Sequence, residues 1–572
     1  MHNKVLIRVI KTQRHYYFKK VKSALSFSFF MVASSYVHTA TLTTPGAIQQ
    51  LDKQQLERYK QEQRLQEEAP VSPEITLPSQ DAPETAASDV KNIPLRQFDV
   101  DRSELLTTRS INQVLAPYQG RDVSLKELFE AVALLNELYK SKGISTALAL
   151  LPPQEIKDGV VKIRLIEAKV GAIEISGLQH LQQEFVDGRI HIKPGDMVSV
   201  DQLEEDLIRF NSLYESKLRA NVRAGAEVGK TDITIDVQEA QRYKFTTFVD
   251  NASRETIGEG RIGAVFNANN LLGINDSFQA YATDTEGSNN YAISYSAPVA
   301  DNDLRFDISF NYGDMKLVDG PFEVLDITGS SRELAVGLTQ PFAVGLNRQW
   351  AAYGRVAARN SVSEFSGFTQ QDQDLVVVSM GVSGEAHYGD YAWSIDNSIN
   401  VGTRLLGGEE TYTYYRANAT RIDSLSEGWQ LITRGGLQYS PSELLPSGEQ
   451  FQVGGLYSVR GYSEGLLSGR NGYFGSVELR TALNSLPPGT SSNSYPLFQS
   501  LVFLDHGAAL PYRPGEGENN DDFLTSVGLG ATMDVGSRVT AKVAFAFPLA
   551  KSSAEQNQRD PRIHASIVIS WL

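Results

Sequence analysis

The feature that most constrains this chain is an alternation of side chains that runs through its last 330 or so residues. In LRFDISFNYGD, residues 304–314, Leu304, Phe306, Ile308, Phe310 and Tyr312 alternate with Arg305, Asp307, Ser309 and Asn311. YAISYSAPV (291–299) and the terminal RIHASIVISWL (562–572) behave in the same way, and turn-rich stretches such as DTEGSNN (284–290) separate the runs. A period of two places one face of each strand in an apolar environment and the other in a polar one. Repeated from 241 to 572, it is the pattern of a membrane β-barrel; at about 20 residues per strand and connection, it predicts about 16 antiparallel strands. A soluble β-sandwich is the rival reading. The region is long for one sandwich, and aromatic residues mark many strand ends. No stretch approaches the roughly 20 apolar residues of a transmembrane helix, so strands are the available way across a membrane.

The first 40 residues read as a secretory signal peptide. Lys4, Arg8, Lys11, Arg14, Lys19, Lys20 and Lys22 precede the apolar run ALSFSFFMVA, residues 24–33, which is too short to span a bilayer as a helix. Small residues near Ala33 and up to Ala40 offer more than one cleavage site. The net charge is −15, and without these seven basic residues the remainder carries about −22, which argues against nucleic acid as a partner. The chain holds no cysteine, so disulfide and thiolate chemistry are excluded.

Between signal and barrel the character changes three times. Residues 41–68 contain PGAIQQLDKQQLERYKQEQRLQEE, rich in helix formers and poor in apolar side chains. A helix this polar belongs in water, a coiled coil or a wet cavity. Residues 69–91 carry four prolines and several acids, the composition of a semi-extended linker with a reach on the order of 70 Å. Residues 92–170 and 171–240 read as two small α/β modules. In the first, Ser124 and Glu127 have capping-box spacing, Leu125, Leu128, Val132, Leu135, Leu138 and Tyr139 share a helical face, and Gly143 suits a helix end. GVVKIRLIEAKV (159–170) then alternates as a strand. In the second, AIEISGL is a strand, VDQLEEDLIRFNSLY is a helix opened by Asp201 with Glu204 three residues on, and TDITIDVQEA is a strand.

AGAEVGKT, residues 224–231, looks like a phosphate-binding loop, but a strand pattern follows it where that mechanism needs a helix. A turn between two strands is expected, with no nucleotide. The eight histidines are scattered without the close pairs of a zinc site, and no nucleophile elbow is present. Neither catalytic residues, a metal nor a cofactor is expected, and the chain does not read as an enzyme.

GGLYSVRGYSEGLLSGRNGYFGSVELR (454–480) and FLDHG (503–507) give the rest of the reading. With VDNASRETIGEGRIGAVFNANNLLGINDSF (249–278) and SYSAPV (294–299), they resemble two-partner secretion transporters of the haemolysin secretion/activation type. These belong to the superfamily of outer-membrane barrels with periplasmic POTRA modules. The resemblance covers nearly the whole mature chain: plug helix (41–68), linker (69–91), POTRA 1 (92–170), POTRA 2 (171–240) and barrel (241–572). It departs at two points. Trp571 is penultimate where family barrels commonly end on an aromatic, and ANVRAG (220–225) stands where many relatives carry Asn-Pro.

The resemblance implies a translocation pore in the outer membrane of a Gram-negative bacterium. Its POTRA modules, in the periplasm, would bind an unfolded large exoprotein of haemolysin, adhesin or contact-dependent toxin type. Outer-membrane lipids and the barrel-assembly machinery are its other implied partners. An assembly factor of the same superfamily and a passive porin or receptor are the alternatives. The motif Val459-Arg460-Gly461-Tyr462 would lie on a loop folded into the lumen, where Arg460 meets the barrel-wall motif Phe503, Asp505 and Gly507. Alternation in VFLDHGA puts Phe503, Asp505 and Gly507 on one face, opposite Val502 and Leu504. If the Val502/Leu504 face meets lipid, Asp505 points inward and can take a guanidinium through two parallel bonds. Glu478, on the face of Ser476 in GSVELR, is a second possible partner.

Overall fold

The computed structural model describes residues 44–66, 71–76, 93–142 and 147–571, apart from 228, 321–322, 427, 485–495, 511–521, 537, 553 and 555–559. The expected signal peptide and Gly143 lie outside the described residues.

In chain order, a helix α1 (Pro45–Gln66) is followed by a two-residue strand β1 (Ile75–Thr76). The first module contains β2 (Ile93–Leu95), β3 (Gln97–Val100), α2 (Thr108–Leu115), β4 (Arg121–Val123), α3 (Leu125–Lys140), β5 (Leu148–Leu150) and β6 (Val160–Ile166). Helix α3 begins where the sequence says it must. Ser124 Oγ accepts from Glu127 N, and Glu127 Oε2 accepts from Ser124 N at 2.7 Å, a closed capping box. One face then buries Leu128, Val132, Leu135 and Tyr139, together with Ala131, against the β3-β6-β5 sheet and α2.

The second module contains β7 (Lys169–Ser176), α4 (Gln183–Asp187), α5 (Val200–Leu213), β8 (Lys217–Ala224) and β9 (Lys230–Gln238). Helix α5 starts earlier than Asp201. Its cap is Ser199, whose hydroxyl accepts from Gln202 N at 3.2 Å, while Asp201 sits in the first turn. Both residues suit a helix start, Ser199 as the side-chain acceptor and Asp201 as negative charge at the positive end of the dipole. β8 ends at Ala224 and antiparallel β9 begins at Lys230, so a strand and not a helix follows AGAEVGKT.

Sixteen strands close the barrel, from Tyr243–Asp250 to Arg562–Trp571. The seam pairs Phe245 with Trp571 and Asp250 with Ser566, and Trp571 Nε1 donates to Thr247 Oγ1 at 3.0 Å. Phe306, Ile308, Phe310 and Tyr312 are exposed on the outer wall, as are Ile563, Ile567 and Trp571. Their polar neighbours in the chain line the lumen, because every second residue turns inward.

An even strand number puts both ends of the barrel on the side of the two modules. The second module is fastened there by the turn at 299–304. Asp303 is buried and accepts from Arg189 Nε (2.8 Å), Arg209 Nε (2.7 Å) and Tyr214 OH (2.6 Å). Arg189 also lies 3.7 Å from the centre of the Phe185 ring. A second contact joins Gln182 N to Gly273 O at 2.8 Å. Helix α1 runs through the lumen, with Thr44 at the far end against Ser447 and Leu65 packed with Ala392, Ile422 and Ile432 near the modules.

Candidate functional site: a loop and a helix inside the barrel

Residues 440–470 join the strands Trp429–Tyr439 and Asn471–Ala482 at the end of the barrel far from the modules. They do not stay outside. A short ladder pairs Phe451 with Gly469 and Val453 with Leu467, and the tip beyond it folds back into the lumen. Val459 and Tyr462 join Phe451, Val453, Leu467, Phe474 and Leu524 in one apolar cluster, so the tip has a core of its own. The Tyr462 hydroxyl stands 2.8 Å from the Ala550 carbonyl and 2.9 Å from that of Thr525, its one proton shared between the loop after one strand and the wall strand beside it. Gly461 has φ +90°, a turn that strains any side chain, and an added Cβ would sit a tight 3.2 Å from Ala546 Cβ.

Arg460 is buried and uses nearly all its donors. Its Nε and Nη2 bond Asp505 Oδ2 and Oδ1 at 2.7 and 2.9 Å, a bidentate fork, and its backbone N–H donates to the same carboxylate at 3.1 Å. Nη1 bonds Glu478, Nη2 also reaches Ser476 Oγ at 3.3 Å, and the guanidinium lies 3.4 Å from the centre of the Phe503 ring. The two carboxylates thus act together rather than as alternatives. Antiparallel pairing of Asn471–Ala482 with Leu497–Leu510 explains it: Ser476 stands opposite Asp505 and Glu478 opposite Phe503, so four lumen-facing side chains surround one guanidinium. On the same strand Val502 and Leu504 face outward. Gly507 also lies on the lumen face, where an added Cβ would come within 2.9 Å of Val453 Cγ1, leaving the returning loop no room.

Glu478 does not end the network. Arg480 Nε donates to Glu478 Oε1 at 2.6 Å, and Arg480 Nη2 donates to Glu62 Oε1 of α1 at 2.7 Å. Arg434 Nη2 donates to Glu62 Oε2 at 2.9 Å, and Lys542 Nζ stands 3.8 Å from Glu478. A continuous line of charge therefore joins the loop tip to α1. The helix has further anchors. Lys53 Nζ reaches Glu333, which also holds Arg355 and Arg359. Asp52 and Gln55 meet Arg261, itself forked onto Asp250. Gln55 donates to Glu464 and Arg58 donates to Tyr457 O, both in the loop.

Alternation in the sequence brings Asp505 and Glu478 into view, and it carries a signal for Arg480, two residues from Glu478 on the same face. It carries none for Arg434, on the strand before the loop, nor for Glu62, which meets Arg480 from 418 residues away, nor for Glu333, which meets Lys53 from 280 residues away. The arrangement offers no nucleophile beside a base. Among the described residues, no group of three or more His, Asp or Glu could hold a metal ion. What it can do chemically is hold two lumenal elements by buried charge.

Residues 229–533 match the family described as haemolysin secretion/activation protein ShlB/FhaC/HecB. Residues 93–168 match the ShlB-type POTRA domain, and residues 168–240 the POTRA family described as surface antigen variable number repeat. The heme/hemopexin transporter protein HuxB of Haemophilus influenzae is 25% identical over 529 residues, covering 88% of this chain and 92% of its own. The outer membrane transporter CdiB of Escherichia coli is 24% identical over 479 residues, covering 79% of this chain and 80% of its own. The solved structure of CdiB from Escherichia coli superposes with a TM-score of 0.66 at 18% identity, over 93% of this chain and 100% of that one.

Proposed function

We infer the work of this molecule from its membership: the chain belongs to the haemolysin secretion/activation family ShlB/FhaC/HecB, and it is an outer-membrane transporter of a two-partner secretion system. The observation that carries this is the joint one. A single chain closes a sixteen-stranded barrel and places two POTRA modules at its periplasmic mouth, with the family match running from the last strand of the second module to residue 533, in the fourteenth strand of the barrel. A passive porin has no use for such modules.

The modules bind the exoprotein unfolded in the periplasm and feed it to the lumen. HuxB and CdiB are named for heme/hemopexin transport and for outer-membrane transport; the cargo here is one large exoprotein of haemolysin, adhesin or contact-dependent toxin type. α1 serves as a plug. The Arg460–Asp505–Glu478 cluster serves as a lock that keeps the loop tip seated, and its buried charges fix a register more than they add net stability. No energy source is built in, so folding of the cargo outside supplies the pull. Lipids of the outer membrane contact the apolar wall, and the barrel-assembly machinery inserts it.

Deletion of the gene tests the reading. The expected result is loss of one very large protein from the medium, with other outer-membrane proteins at normal levels. A general loss of outer-membrane barrels would instead favour an assembly factor.

A further inference from the structure

His564 is the one histidine on the terminal strand, Arg562–Trp571. It alternates with outward-facing Ile563, so its ring turns into the lumen, where it is 2% exposed. The backbone N–H of Gly461, at the loop tip, donates to its Nε2 at 3.0 Å. A backbone N–H can only donate, so Nε2 carries its lone pair and the ring proton sits on Nδ1. Among the described residues, none meets that Nδ1. The contact therefore requires a neutral imidazole. Protonation would set a donor against a donor and break it.

The charges around the ring leave an imidazolium no partner. Arg460 precedes Gly461 in the chain, and Arg562 stands two residues before His564. Lys542 stands two residues before Ala544, the strand partner of His564. All three are cations. The nearby carboxylates are already taken. Asp505 and Glu478 hold Arg460, and Glu255 and Glu259 hold Arg562. Asp250, opposite Ser566 across the seam, is forked onto Arg261.

The strand that carries the ring is itself held at the closure of the barrel. The seam ladder ends where Asp250 pairs with Ser566. Beyond it, the Asn251 side chain takes over. Its Nδ2 donates to Ile563 O at 2.7 Å, and its Oδ1 accepts from Ala565 N at 2.8 Å. Those two residues flank His564. The loop tip thus has two supports. The Arg460 side chain grips the strands Asn471–Ala482 and Leu497–Leu510, and the Gly461 backbone grips the strand that closes the barrel. We propose that His564 is a positioning residue for the loop tip, a neutral acceptor that ties Gly461 to the seam, and that Asn251 sets it in place. The proposal rests on the reading of the tip as a seated lock and gives that lock a second anchor, independent of the Arg460 side chain.

The test is hydrogen exchange of the Gly461 amide in the purified full chain in nanodiscs. His564→Leu fills the space without an acceptor, and exchange should run about tenfold faster than in the wild type. His564→Gln puts Oε1 where Nε2 stands and should restore the slow rate. His564→Asn carries its oxygen only as far as Nδ1 and should behave as Leu does. Rescue by Gln alone separates an acceptor from a space-filler; failure of Gln, or slow exchange with Leu or Asn, overturns the proposal. Asn251→Ala leaves the ring untouched and should also speed exchange at Gly461; no change overturns the part given to Asn251. The wild type supplies a check that needs no folded variant with a weakened seat. In a chain labelled with 15N-histidine, the ring signals lost in His564→Gln should be those of a neutral imidazole protonated at Nδ1 at neutral pH. A charged ring, or one protonated at Nε2, overturns the anchor. Export of the exoprotein should fall in His564→Leu. Fast exchange at Gly461 with normal export would confirm the anchor and refute the lock reading instead.

Discussion

Asp505→Asn is the sharpest perturbation of the loop. Asp505 is fully buried and takes three of the bonds made by Arg460, two from the guanidinium and one from the backbone N–H. Removing one partner of a buried ion pair costs about 3–5 kcal/mol. The amide still accepts one bond and Glu478 still faces Nη1, so the lower end applies, about 3 kcal/mol. At 1.4 kcal/mol per decade, the population with the tip out of the lumen rises about a hundredfold. Trypsin added to intact cells reads this directly. Arg460 is only 2% exposed and should resist cleavage in the wild type. In Asp505→Asn, cleavage after Arg460 should accelerate by about two orders of magnitude, and export should fall while heat-modifiable barrel remains in the membrane. Unchanged protection together with normal export would refute the assignment of Asp505 as the principal partner.

Glu62→Gln removes the anion that Arg434 and Arg480 share on α1. Single-channel recordings in planar bilayers should show more frequent open events and greater anion preference. Asp303→Ala strips the acceptor from Arg189, Arg209 and Tyr214. Spin labels on the second module and the barrel rim should then report a broader distance distribution with the barrel itself intact. The carboxyl of Glu127 is held at about 2 by the backbone N–H of Ser124, then by Arg121. A depressed carboxylate stabilises above its unfolded value, near 4.3, and that contribution fades as pH falls toward 2. Hydrogen exchange of α3 should therefore quicken across that acid window, the Glu127→Gln chain should lack the dependence, and a flat wild-type profile would count against the capping box.

Several parts of this molecule were legible before any fold was known. Strict alternation in 304–314 is enough to say which side chains of that strand face out, since period two allows only two answers. Ser124 and Glu127 announce a helix start because the box is local, closed within four residues. Asp201 misplaced the start of α5 because two good capping types, Ser199 and Asp201, stand two residues apart, and only the hydrogen bond chooses between them.

The sequence by itself determined the faces of the strands and the polar character of the lumenal helix, because each follows from spacing and composition along the chain; the expectation that Arg460 meets an inward carboxylate came from the resemblance of VRGY and FLDHG to family motifs. Tertiary structure decided which groups meet. Arg460 holds Asp505 and Glu478 together because strand register sets Ser476 against Asp505. Glu62 finds Arg480 across 418 residues because barrel closure brings the first helix beside the last strands, and Glu74 reaches Ala220 because a sheet edge left one row of backbone groups to be satisfied. Register, closure and edge pairing arise from contacts between distant segments, and no local pattern encodes them.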